Sequence, residues 1–147
     1  MKKLLTILLA ALLCVCCVSM VACKEEAGVE GTYKFYSITV GTTTYEVGDT
    51  VPGGGMFGPN DMTLTADAMT LELKKDGTAI SKNNGETQPG VTMTWSKSGN
   101  TITLTSTYVA GGETQTDTQD LTLNGNELTM VANPDTEYEM TYVFKKA

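Results

Sequence analysis

The amino-acid sequence predicts an all-β fold, an antiparallel up-and-down meander of eight or nine strands closed into a barrel. Three observations predict it. From residue 31 onward, apolar residues recur at every second position in run after run. Glycine-containing turn sequences separate those runs. Threonine, whose branched β-carbon suits an exposed strand face, supplies twenty-four residues after position 22. Strict alternation sends one face to a core and the other to water, which is the signature of an antiparallel sheet.

Taken in order, the predicted strands lie near 31–40, 43–47, 68–75, 78–82, 91–97, 101–108, 114–123, 127–132 and 137–145. In the first, Tyr33 and Phe35 share one face while Tyr36, Ile38 and Val40 share the other, so a bulge is expected near Ser37. Val91, Met93 and Trp95 alternate with Thr92, Thr94 and Ser96, and Ile102 and Leu104 alternate with Thr101, Thr103 and Thr105. Leu121, Leu123, Leu128 and Met130 continue the pattern around Thr122 and Thr129. In the last strand Tyr138, Met140, Tyr142 and Phe144 are expected to face one way and Glu137, Glu139, Thr141 and Lys145 the other. Asp76-Gly77, Ser98-Gly99-Asn100 and Asn124-Gly125 fall between runs, where a tight hairpin needs positive φ. Consecutive strands with one apolar face hide their edges best by closing into a barrel; a β-sandwich is the alternative.

The segment before this pattern has a different grammar. Lys2 and Lys3 precede an apolar stretch from Leu4 to Met20, and Met20-Val21-Ala22 leads into Cys23. A basic start, an apolar centre and a small residue before a cut describe a secretory signal. The Ala22-Cys23 junction resembles the cleavage box of bacterial lipoproteins. That resemblance implies a signal peptide over 1–22, lipid attachment at Cys23, a polar spacer over 23–30 and a domain over 31–147. It also implies a cell-membrane, lipid-anchored location on the extracytoplasmic face. An uncleaved membrane helix is the alternative, since the nineteen residues from Leu4 to Ala22 could just span a hydrocarbon core of about 30 Å.

Composition excludes several classes. After position 22 the chain carries all seventeen acids and eight of the ten bases, a side-chain balance of −9, and it has no Arg or His anywhere. Such a surface repels phosphate, so no nucleic-acid partner is expected. Without His, and with the only cysteine after position 22 committed to lipid, no nucleophile–base pairing is available. No enzyme activity, no cofactor and no metal site is expected. The acids that do cluster, Asp117 with Asp120 and Asp135 with Glu137 and Glu139, read as solvated surface rather than metal ligands.

Several segments carry a family resemblance: Gly31-Thr32-Tyr33-Lys34-Phe35, the run from Leu71 to Ala79, Trp95 to Thr105, Leu121 to Met130, and Tyr142 to Lys146. Together they resemble the small lipocalin-like domains of bacterial lipoproteins, in which Gly-x-Trp/Tyr opens an eight-stranded meander barrel. Tyr33 stands where many lipocalins carry Trp, and no Arg exists to close over the first strand. The resemblance implies a binding module for a small apolar ligand or a surface partner, tethered to a membrane through its lipid anchor. The alternative function is a solidly packed structural display protein with no ligand. Candidate cavity-lining residues are Tyr33, Phe35, Leu71, Leu73, Met93, Trp95, Ile102, Leu104, Met130, Met140 and Tyr142. The glycine-rich segment Val51 to Pro59 lacks the Lys of a phosphate loop, and its Met56 and Phe57 are a candidate lid.

Overall fold

The computed structural model describes residues 28–53 and 58–147. The segment 1–22 expected to be a signal peptide, Cys23 and the candidate lid residues Met56 and Phe57 therefore lie outside the described residues. Twelve strands follow one another: β1 (Gly31–Val40), β2 (Thr43–Glu46), β3 (Thr50–Val51), β4 (Met62–Thr63), β5 (Met69–Leu73) and β6 (Thr78–Asn83). Then come β7 (Glu86–Thr87), β8 (Thr92–Ser98), β9 (Thr101–Ala110), β10 (Glu113–Asn124), β11 (Glu127–Ala132) and β12 (Met140–Lys146). Eight of them form a ring in the order β1, β5, β6, β8, β9, β10, β11, β12, and β12 pairs back onto β1. Every pairing is antiparallel, so the predicted meander closes into an eight-stranded barrel rather than a sandwich. All of it is built from residues 31–146.

The short strands are additions to the expected order. β2 pairs with β1 and β7 with β6, both off the ring, and β3–β4 is a separate hairpin. That hairpin, which is not among the predicted strands, stands on either side of the glycine-rich segment. It forms because Gly48 N–H donates to the Leu64 carbonyl and Leu64 N–H returns to that of Asp49, at 2.9 Å each. Val51 and Leu64 are thereby carried into the main hydrophobic core.

The bulge expected in the first strand is present, as the β1–β12 register shifts between Phe35 and Ser37. It lets Tyr33 and Phe35 before it, and Ile38 after it, all reach the interior. The hairpin glycines also behave as their turns require, with φ of 83° at Gly77, 58° at Gly99 and 61° at Gly125. One strand is corrected. The run predicted at 137–145 enters the sheet only at Met140, and Tyr138 is 56% exposed instead of facing inward. Local bonds win there: the Thr136 hydroxyl donates to the Asn133 carbonyl at 2.8 Å, and Asp135 N–H donates to the Glu139 carboxylate at 3.1 Å.

Because the ring alternates direction, its turns sort to two ends. One end holds the turns at 76–77, 99–100 and 125–126 together with Gly31 and Lys146. The other holds those at 41–42, 84–85, 111–112 and 133–139. The first end is filled: Tyr33, Leu73, Ile102, Leu121 and Leu128 are buried almost completely there. Phe35 meets Phe144 edge-on with ring centroids 6.3 Å apart. The segment entering the barrel caps this end, since the buried Tyr33 hydroxyl donates to the Val29 carbonyl at 2.7 Å and Lys146 Nζ donates to that of Gly28. Burial is the main force holding the Tyr33 phenol above its ordinary pKa, with Glu30 adding to it, so it stays a donor.

Candidate functional site

The opposite end is open. β6 and β8 pair only at Thr78–Thr94 and Ala79–Met93. Beyond Ala79, β6 takes β7 as its partner instead, through Lys82–Thr87 and Asn83–Glu86. The wall parts at that point, and a cavity of about 700 Å³ occupies the gap. Ile80, Ser81 and Asn83 line one side of it, and Gln88 to Val91 line the other. Met69, Met93, Ser106, Tyr108 and Asp117 complete the lining from the neighbouring strands. Pockets that take small organic ligands commonly span about 300–1,000 Å³, so this one is of useful size.

Register explains which side chains arrive there. Directly paired residues of neighbouring strands share a face of the sheet. The pairs Ala79–Met93, Met93–Ser106 and Ser106–Asp117 therefore form one row around the inner wall. One level nearer the closed end the row runs Trp95–Leu104–Gln119, and below it Ile102–Leu121–Met130–Tyr142. Along β9 and β10 the inner positions change from aliphatic to polar as the mouth is approached. Strand β10 shows the change alone, with Leu121 and Leu123 inward at one end and Gln115, Asp117 and Gln119 inward at the other. The Tyr108 hydroxyl donates to Asp117 Oδ2 at 2.7 Å. That hydrogen bond, with the carboxylate's charge, pushes the Tyr108 phenol above its ordinary pKa.

The candidate lining residues divide between the two ends. Tyr33, Phe35, Leu71, Leu73, Ile102 and Leu104 are buried in the packed core. Trp95, Met130, Met140 and Tyr142 pack against that core half-buried, and only Met93 of the eleven lines the gap between β6 and β8. Trp95 is held by its indole N–H, which donates to the Lys74 carbonyl at 2.8 Å. The acids grouped in the sequence separate. Asp120 is on the outer face, accepting from the Thr103 hydroxyl at 2.6 Å, whereas its neighbour Asp117 is on the inner face. Sequence reasoning missed Met69, Ser106, Tyr108 and Asp117. The signal was available, because Ser106 and Tyr108 extend the inward period of Ile102 and Leu104 by two further steps.

Among the described residues no group of three or more acidic or cysteine side chains could hold a metal ion. The lipocalin-like domain family model matches residues 29–130, more than two thirds of the chain. The chain belongs to the lipocalin-like domain family. Compared with curated proteins and with solved structures, it matches none. The lipocalin-like match runs from the capping Val29 to Met130 in β11, and β12 beyond it closes the ring. A barrel packed at one end and hollow at the other fits the small-ligand binding role associated with lipocalin-like domains.

Proposed function

We propose that this protein is a membrane-tethered lipoprotein that binds a small, largely apolar ligand in the cavity between β6 and β8. The observation carrying the reading is that cavity: about 700 Å³, opening at one end of an otherwise closed barrel and bordered by Met69, Met93, Pro89 and Val91. Methionine suits such a role because its flexible thioether adapts to ligands of different shape. Catalysis plays no part in this reading, which rests on the family's binding role and on the lack of any His.

The tether is inferred from Lys2, Lys3, the apolar stretch and the Ala22-Cys23 junction. Gly28 and Val29 dock at the packed end. Five residue steps separate Cys23 from Gly28, a reach of at most about 18 Å. An anchor on Cys23 would therefore hold the packed end towards the membrane and leave the mouth facing outwards. Two acyl chains on that cysteine would retain the protein stably, where one would not.

Two experiments test the two halves. Cys23→Ala is expected to release the protein or leave an unprocessed precursor; normal retention of a fully processed mutant rejects the anchor. Residues 24–147, which keep the whole barrel, are then screened by native mass spectrometry against lipid extracts. Retention of an apolar mass supports the binding role. Absence of any bound mass, with a fully folded barrel, favours the structural display protein.

A further inference from the structure

Among the described residues the cavity has only one charged residue in its lining, and that residue is acidic. Asp117 faces in from β10, paired with Ser106 of β9. The other polar groups around it, among them Ser81, Asn83 and Ser106, are neutral and can serve a ligand head of either sign. Among the described residues no lysine lines the cavity. The nearest one in sequence, Lys82, alternates with the lining residues Ser81 and Asn83 on its own strand and is itself absent from the lining. Nor does the chain offer any Arg or His. A carboxylate head entering here meets a like charge and no compensating cation, inside an already acidic protein.

Resting on the ligand-binding reading above, we propose that the cavity selects amphiphiles with a cationic head, an alkylammonium type, placing the head at Asp117 and the chain along Met69 and Met93. The carboxylate is oriented for this. Tyr108 donates to Oδ2 at 2.7 Å and fixes the side chain from one side. A carboxylate has about four acceptor sites, so one phenol leaves room for an ammonium donor. The ring of Tyr108, also in the lining, adds a face attractive to cations. Asp117 is itself solvent-exposed, so the selection is screened by salt.

The test compares dodecylammonium with laurate, two probes of equal chain length and opposite charge, each below its micelle concentration. Binding to residues 24–147 is measured by calorimetry at low and at high salt. Dodecylammonium is expected to bind about fivefold more tightly than laurate at low salt, within the range of an exposed ion pair. Asp117→Asn should abolish that difference, while Tyr108→Phe, which keeps the carboxylate, should retain it. If laurate binds as tightly as the amine, or if Asp117→Asn leaves the preference intact, the head-group inference is overturned and the apolar cavity stands. If neither probe binds, both fail. Should Asp117→Asn lose its cooperative thermal transition, Asp117→Ser makes the same comparison.

Discussion

The two ends of this barrel are built from the same eight strands, yet they have opposite physical character. At the packed end, the inner positions of β9, β10 and β11 are Ile102, Leu121 and Leu128, each at most 2% exposed. Towards the mouth β9 and β10 present Ser106, Tyr108 and Asp117 on the inner wall, and the hydrogen-bonded wall itself parts between β6 and β8. The difference separates the half that supplies stability from the half where the proposed ligand would sit. A closed ladder with aliphatic filling supplies the folding energy at one end, and that leaves the other end free to remain hollow. The absence of a disulfide in the described barrel makes this division more demanding, because the packed half must hold the ring without a covalent brace.

The largest effect should come from the packed half. Ile102→Ala removes a side chain that is 0% exposed and is expected to cost about 2–5 kcal/mol, read by urea unfolding. Met93→Ala, at the cavity, should cost only about 1 kcal/mol because its loss enlarges a space already open. Equal losses at the two sites would break the comparison. A next, smaller effect is expected for Tyr33→Phe. It leaves the ring in place and removes only the bond to the Val29 carbonyl, so about 1 kcal/mol should be lost. Amide exchange at Gly28 to Glu30 should speed up in that variant; unchanged exchange would mean that the cap is held without Tyr33.

These halves were unequally legible in the sequence. The packed end was readable because aliphatic residues alternate with threonine there, as in Thr101-Ile102-Thr103-Leu104, and the period of two fixes the face directly. The bulge in β1 was readable for the same reason, from the switch of face between Phe35 and Ile38. The mouth was not. In Gln115-Thr116-Asp117-Thr118-Gln119 both faces are polar, so alternation loses its contrast and Asp117 reads as surface. The opening between β6 and β8 depends on β7 displacing β8 as a partner, a competition between strands with no local pattern. Tyr138 failed differently: it kept the correct period, but turn-forming bonds around Asn133 and Thr136 held it outside the sheet.

The cavity can also be sharpened through proton equilibria. Tyr108 is held above its ordinary pKa first by its hydrogen bond to Asp117 and then by that group's charge. The protonated phenol is therefore favoured in the folded state, a contribution present below the ordinary tyrosine pKa and lost as pH rises through the raised one. Asp117→Asn should bring the Tyr108 titration, followed by ultraviolet difference absorbance, back towards the ordinary range. A bound alkylammonium should lower it as well, by neutralising the carboxylate. No change on either treatment would separate Tyr108 from Asp117 and remove the orienting contact at the mouth.

The smallest effect belongs to the packed end, at the turn joining β5 to β6. Asp76 Oδ1 accepts from the Thr78 hydroxyl at 2.6 Å and from the Thr78 N–H at 2.9 Å. These bonds, the side-chain one foremost, hold the carboxylate below its ordinary pKa. A depressed pKa means that the folded state favours the ionised form. The turn is thus reinforced above the ordinary aspartate pKa, and the reinforcement fades as pH falls through the lowered value. Thr78→Val keeps the branched shape of a strand residue and deletes only the hydroxyl donor. The Asp76 titration, followed by carboxyl carbon shifts, should move up towards normal while the backbone bond keeps it from returning fully. Because this carboxylate is exposed, the change in overall stability should be slight, and the β6–β8 pairing at Thr78–Thr94 should survive. If ligand affinity at the mouth nevertheless fell in Thr78→Val, the two ends would be coupled through β6. The separation between a packed half that stabilises and an open half that binds would then no longer hold.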